Sequence, residues 1–487
     1  MRTYVLSVTL AFGPIRPTRS VTSVNSVTPV VKSSAGHAWA LGARMPVSSD
    51  TSALPPLRAA IGPVTALAIL ASNMIGTGVF TSLGFQVADL HAGFTLLTLW
   101  AVGGVLSLCG ALSYAELGAA LPHSGGEFVY LARSWSPLVG FLGGFVSMTA
   151  GFAAPIALAG IAFGRYAAAV FPISSGEASA LVLGVVAVVH WSALPTARAF
   201  QVAATTATLL VIVAFIVFGV AVGPVEPVSF APTPLAWREI ASRPFAMSLI
   251  YVVYAYTGWN SVGYVAGEIR HPQRVIPRTV MGGVLLVGTL YVLLHWVFLR
   301  TVPMRELAGT VEVGALSASR IAGAAGGRIM SGIIALVLVA TTSGLVLAGS
   351  RATQAVCAGT PGLARWGALA PNGVPRRALL VQFVLVVVLI LSASFEKVLA
   401  YTGFILNLTS LLTVVGLFRL RYLEPELPRP YRAWGYPFTP LAFIGLSSWI
   451  LFVVLVGRPL VLVAAMTTFA LGGLLYAFTH RTGDVAP

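Results

Sequence analysis

Two short stretches hold the residue types from which a binding site inside a membrane protein is made. The first is Ser72 to Phe80, SNMIGTGVF, where Gly76 and Gly78 interrupt a long apolar run. The second is Tyr254 to Asn260, YAYTGWN, where Gly258 sits mid-run beside Thr257, Trp259 and Asn260. Glycine lets a backbone leave helical geometry and offers no side chain to cover it. A helix broken in this way exposes N–H groups from its second half and carbonyls from its first. In a bilayer such groups persist only against protein or a polar cavity. The chemistry available is the non-covalent capture of a small molecule bearing both signs of charge. Neither stretch contains a charged side chain, so main-chain dipoles must do most of the holding. A zwitterion fits such a site better than a ligand with a charged side chain. For either glycine break alone, a kink between packed helices is an equally good explanation; the pair favours a site.

The elements that carry these stretches are membrane helices. The chain has 487 residues, 57% hydrophobic and only 9% charged, with a mean hydropathy of +0.90, against about 25% charge in soluble domains. Charge-free runs of at least about 18 residues, the length needed to cross a bilayer as a helix, occur at 59–88, 90–115, 134–164, 178–197, 199–225, 244–267, 279–299, 329–350, 378–395, 398–418, 433–457 and 459–480. These twelve spans predict an all-α, polytopic membrane protein with both termini on one side. Broken helices at spans 1 and 6 are what an inverted repeat of five helices predicts. That repeat divides the chain into 58–225 and 226–425, followed by spans 11 and 12 over 426–480 and a short tail over 481–487. Spans 11 and 12 carry no polar cluster and read as scaffold or lipid-facing. Residues 1–57 read as a disordered tail or a start placed too early, with Met45 as the alternative beginning.

The net charge of +15 does not point to nucleic acid, because the basic residues are spread through interhelical loops and form no stripe. They fit an orientation instead. With the N-terminus cytoplasmic, the Lys and Arg from residue 58 onward divide into 15 inside and 9 outside, the sign of the positive-inside rule. The location expected is a cell membrane, inner or plasma, crossed many times.

Other polar residues are set aside one by one. Glu116, at the edge of span 2, is expected in a structural ion pair, a proton relay being the less favoured role. His190 and His295 stand alone among apolar residues with no second ligand at metal spacing, so each is expected to be a hydrogen-bonded histidine and no metal is expected. Cys109 and Cys357 are expected as buried thiols.

Three signatures, at matching places in the helix order, resemble those of the amino acid–polyamine–organocation superfamily, most closely its amino-acid permease and L-type transporter branches. They are IGTGVF at 75–80, GALSYAELGAALPHSGGEFVYL at 110–131, and YAYTGWN at 254–260 followed by GEIRHPQRVIP at 267–277. The resemblance covers about residues 58–425 and implies the LeuT fold, with the site between broken helices 1 and 6. It implies that the amides of Gly76, Thr77 and Gly78 bind a substrate carboxylate. Carbonyls near Ile75 and of Tyr254, Ala255 and Thr257 would receive the ammonium, while Trp259 and Asn260 line the side-chain pocket. Tyr254 matches an aromatic gate position.

Several departures from that pattern matter. Close L-type relatives often have a second glycine where this chain has Thr257, which predicts a smaller pocket. Many sodium-independent relatives have a lysine where Thr208 stands, and without it a sodium ion has space. Val339, Thr342 and Ser343 have the i, i+3, i+4 spacing of a LeuT-type ion site facing Ser72 and Ile75, although a Thr/Ser pair in a membrane helix is more often explained by helix packing. The coupling ion is left open between Na+ and H+, and no cofactor is expected. Animal relatives join a heavy subunit through a cysteine between spans 3 and 4. Residues 165–177 have none, so no disulfide-linked partner is expected.

The expected function is secondary transport of a neutral or small amino acid by alternating access. The alternatives are a carrier of amines, polyamines or cationic amino acids, which would want an acid near the site, and Glu116 and Glu268 lie too near the cytoplasmic face. A membrane-embedded enzyme would need clustered nucleophile, acid and base, and a passive channel would show no trans-stimulation.

Overall fold

The computed structural model describes residues 60–192, 194–224, 228–392 and 395–483. The tail expected over 1–57 and most of the one over 481–487 lie outside these residues. Everything regular among the described residues is helical, with one isolated bridge between Ile61 and Ile269.

Span 1 is α1 (Pro63–Met74), α2 (Thr77–Thr81) and α3 (Leu83–Gln86). Span 2 is α4 (Gly93–Ala120), and a separate short helix, α5 (Glu127–Ser134), precedes span 3. Span 3 comprises α6 (Pro137–Val146), a π-helical stretch (Ser147–Ala153) and α7 (Ala154–Ala168). Spans 4 and 5 are α8 (Ser175–Ser192) and α9 (Leu194–Val222). After α10 (Pro234–Ile240), span 6 is α11 (Arg243–Tyr256) and α12 (Ser261–Tyr264). Span 7 is α13 (Pro272–Thr301), followed by α14 (Met304–Leu307) and span 8, α15 (Val313–Ala358). The last four spans are α16 (Arg376–Ser392), α17 (Phe395–Leu423), α18 (Phe438–Gly457) and α19 (Pro459–Gly483).

Ten of these segments are long and apolar enough to cross a membrane. The remaining two expected spans are the broken α11–α12 and α16, whose 17 residues fall just under the usual length. Valine and leucine side chains on α8, α9 and α19, including Val188, Leu210 and Leu474, stay exposed, as a face in contact with lipid requires.

Two connections differ from a plain turn. Span 2 continues to Ala120, and Gly125 and Gly126, both at positive φ, turn the chain into α5. The connection from span 7 to span 8 is largely helical: α15 begins at Val313 and kinks at Ala322 and Gly323, where the alanine-rich sequence favours helix without needing apolar bulk.

One end of the bundle is tied by buried charge. Glu116, 1% exposed, accepts from Arg421 Nε at 2.8 Å and Nη2 at 2.6 Å and from the Ala433 amide at 2.6 Å. Arg429 lies 3.5 Å away. This is the structural ion pair expected of it. At the same end the Ala60 and Ile61 amides bond to the Glu268 carbonyl, and the Glu268 carboxylate meets Arg351 of α15 at 2.8 Å. The start of span 1, the end of span 6 and span 8 are thereby fastened together.

Candidate functional site

Span 1 opens with Pro63 inside its first turn, where a missing N–H costs nothing. Its last regular bond runs from Ile75 N to Ala71 O at 2.7 Å. Gly76 is extended, helix resumes at Thr77, and Ser82 keeps right-handed helical angles so that α2 and α3 run on together. Span 6 opens with Ser242 capping the Phe245 amide. It ends at Tyr256 because Thr257 turns extended and Gly258 takes φ +109°.

The two breaks lie against each other. A Cβ on Gly78 would sit 2.6 Å from Ala255 Cα, and one on Gly258 would sit 2.4 Å from the Asn73 carbonyl oxygen. Glycine is required at both positions, by close approach at the first and by close approach and positive φ at the second. Thr77 and Tyr254 exchange a hydroxyl hydrogen bond at 3.1 Å. The Tyr291 hydroxyl of α13 lies 2.6 Å from Met74 O and 3.1 Å from Ala255 O, reaching a carbonyl of each broken span.

Between the breaks is a cavity of about 50 Å³. Every residue assigned from the sequence to the substrate lines it except Ile75, whose side chain is fully buried in the core. Span 3 supplies Gly151, Phe152 and Pro155, the first two from the π-helical stretch, a local widening common at functional sites. Among the described residues, no acceptor meets the amides of Gly76, Thr77 and Gly78. No Asp, Glu, Lys, Arg or His among the described residues lines the cavity. Two buried lining atoms, Asn73 Oδ1 and Ser261 Oγ, have no hydrogen-bond partner.

The carbonyls named for the ammonium are unevenly committed. Ile75 O accepts from Thr341 Oγ1 at 2.6 Å. Tyr254 O accepts from the Thr257 amide at 3.0 Å and its hydroxyl at 2.5 Å. Ala255 O faces Tyr291, and Thr257 O meets no donor among the described residues.

The residues named for an ion are not gathered at this cavity. Ser72 Oγ bonds to Ile69 O and Thr342 Oγ1 to Leu338 O, each within its own helix. Ser343 Oγ meets His190 Nε2 at 2.9 Å, and Val339 packs against the apolar cluster that includes Leu345 and Val386. The span-8 hydroxyl facing the span-1 break is that of Thr341. In span 5, Thr208 bonds to its own helix at Ala204, whereas Thr205 reaches Ala68 O at 3.3 Å and Gln201 reaches Ala340 O at 3.4 Å. His190 is hydrogen-bonded as expected. His295 is bonded at one nitrogen only: Nδ1 meets Tyr291 O at 2.8 Å, Nε2 has no partner, and the ring stacks on Trp100.

One acid beside the site had no role assigned from sequence. Glu127, the first residue of α5 and 3% exposed, accepts from Asn260 Nδ2 at 2.5 Å and Tyr114 OH at 3.0 Å, and from Tyr264 OH. Burial pushes its carboxyl above the usual carboxylate range, with the bonds from Tyr264, Asn260 and Tyr114 opposing the shift. Its only local signal is an acid just after the paired glycines. Asn73, Ser261 and Thr341 also had no role assigned from sequence, because each adjoins another polar residue, Ser72, Asn260 and Thr342, and the sequence does not say which of two neighbours faces the site.

This geometry, two broken helices crossing at a small uncharged cavity, meets an independent comparison. Residues 61–475 match the family model described as amino acid permease. The chain belongs to the amino acid permease family. Among curated relatives, the permease is 26% identical over 404 residues to the serine/threonine exchanger SteT of Bacillus subtilis, covering 81% of this chain and 91% of the relative. It is 25% identical over 434 residues to the mouse b(0,+)-type amino acid transporter 1, covering 87% and 88%. It is 27% identical over 395 residues to the rat large neutral amino acids transporter small subunit 2, covering 77% and 72%. The permease is therefore a transporter and not an enzyme. Cys109 and Cys357 are both buried and free.

Proposed function

We propose that this permease carries a small neutral amino acid, of about the size of serine or threonine, by alternating access. The observation that carries this reading is the uncharged cavity between the two breaks, with three unpartnered amides on one wall. The amides of Gly76, Thr77 and Gly78 would receive the carboxylate at the positive end of a resumed helix. The ammonium would lie toward the carbonyls of Thr257, Ala255 and Ile75, each of which retains acceptor capacity because a carbonyl oxygen has two lone pairs.

Size supports the reading. The cavity between the breaks is small, about 50 Å³, which suits a short side chain better than a large aromatic one. Chemistry supports it too, since the uncharged polar residues Thr77, Thr257, Asn260 and Ser410 line the cavity and suit a substrate hydroxyl. An amine or polyamine carrier is less well supported, because no acid lines the cavity. The B. subtilis relative is named for serine and threonine exchange, which agrees in substrate size.

In the same reading the α5 end of the bundle faces the cytoplasm of a cell membrane, supported by the excess of Lys and Arg there. The absence of cysteine from residues 165–177 supports operation without a disulfide-linked second subunit. The deciding experiment is reconstitution into liposomes with labelled amino acids, with and without preloaded substrate. Serine, threonine or alanine should exchange with trans-stimulation and exceed phenylalanine, tryptophan and lysine. If no amino acid exchanges, the reading fails.

A further inference from the structure

We propose that Glu127 is a proton-binding site that couples amino-acid movement to proton movement, an inference resting on the transporter reading above. The carboxylate is buried beside the cavity, one hydrogen bond from two of its lining residues, Asn260 and Tyr264. Among the described residues, no arginine, lysine or histidine pairs with it. Glu116 and Glu268, the other buried acids at this end, each have an arginine. A buried carboxylate without a cation is costly unless hydrogen bonds compensate it or it takes a proton.

The groups facing it from each side are few. Tyr130 stands on its own helix, Tyr114 on α4, and Asn260 and Tyr264 on the second half of span 6. From span 3, Ser147 reaches Tyr264 OH at 2.9 Å. From α17, Ser410 and Thr413 lie against the Tyr114 hydroxyl. None brings a positive charge.

The network accepts either protonation state without stranding a group. When ionised, Glu127 takes one hydrogen from Asn260, one from Tyr114 and one from Tyr264. When protonated, its new O–H donates to Tyr264, whose hydroxyl turns to donate to Ser147. Ser147 in turn donates to Gly143 O at 2.9 Å. All three turns use contacts already present. Both carboxylate oxygens face N–H and O–H donors rather than other lone pairs, so the ligand this arrangement suits is a proton and not a metal cation.

The link to transport is mechanical. Two of the three side-chain donors to the anion belong to span 6, and displacement of α12 would carry them away and favour the protonated acid. By reciprocity, protonation favours displacement of α12 and opening of the cavity at that end. Burial, which already pushes the Glu127 carboxyl upward, works in the same direction.

The test counts protons against substrate in liposomes carrying a trapped pH dye and labelled serine. Wild-type uptake should acidify the lumen in proportion to label entered, Glu127→Asp should keep that proportion, and Glu127→Gln should lose it. An unchanged ratio in Glu127→Gln, or label entering through the wild type with no proton movement, overturns the proposal. Should Glu127→Gln carry no label, infrared spectra of the purified proteins decide. A protonated-carboxyl stretch that grows as pH falls in the wild type and is missing from the variant supports the site; identical bands overturn it. Absence of any exchange by the wild type at equal pH on both sides would sink the transporter reading instead.

Discussion

The hydroxyl of Thr341 donates at 2.6 Å to the carbonyl oxygen of Ile75, the residue at which α1 stops. That carbonyl would have received the Val79 amide had the helix continued. Span 8 therefore satisfies a group that the break in span 1 releases, and joins the two spans at the cavity. Thr341→Val keeps the shape and removes the donor, leaving a buried acceptor short of a partner at about 1–3 kcal/mol. The expected outcome is a lower melting temperature of the detergent-solubilised protein and a several-fold change in substrate KM, with Thr341→Ser restoring both. Wild-type values in Thr341→Val would remove this tie from the account.

Gly258 combines φ +109° with a Cβ position 2.4 Å from Asn73 O. Gly258→Ala sets backbone strain of about 1–3 kcal/mol on top of a steric push between the broken spans. Substrate exchange should fall at least about tenfold, since 1.4 kcal/mol is tenfold in an equilibrium constant. Substrate-induced thermal stabilisation should fall with it. Gly445→Ala, at a position with open space around it, is the matched control and should behave as wild type.

Glu116 holds Arg421 through both guanidinium bonds and the Ala433 amide through a third. Glu116→Gln removes the charge and leaves the arginines short of it. Breaking one partner of a buried pair costs about 3–5 kcal/mol. The apparent melting temperature should drop well below that of Glu306→Gln, whose pair with the partly exposed Arg320 is worth about 0–1 kcal/mol. Equal losses in the two variants would contradict a structural role for Glu116.

Glu127 gives a stability signature separate from transport. Its folded-state pKa lies above the ordinary value, near 4.3 for an unperturbed glutamate. The folded protein thus holds a proton that the unfolded chain releases. The stabilisation is present below the ordinary pKa and is lost as pH rises through the folded value. Melting temperatures taken across a pH series should fall for wild type relative to Glu127→Gln over the window above about 4.3. Parallel curves would show that Glu127 does not titrate upward.

Much of the architecture was legible from pattern alone. A bilayer demands long charge-free runs, so the spans could be counted, and glycines inside two of those runs marked the breaks. The Gly76–Gly78 and Tyr254–Asn260 stretches both line the cavity. Side-chain partners were not legible in the same way. Three hydroxyls in a row, Thr341, Thr342 and Ser343, point around a helix at about 100° steps, and only packing decides which meets span 1. The resemblance singled out Thr342 and Ser343 for an ion, and in the folded chain Thr341 bonds to Ile75 O while Ser343 meets His190.

What the sequence determined by itself was the set of crossings, the two interruptions and the family, because each is a one-dimensional property: apolar length, glycine position and motif order. What only the tertiary structure decided was which polar atoms meet. Asn260 lies 133 residues from Glu127 and Ile75 lies 266 from Thr341. A buried polar group takes whatever partner the packed helices bring within about 3 Å, and no local rule carries information over such separations.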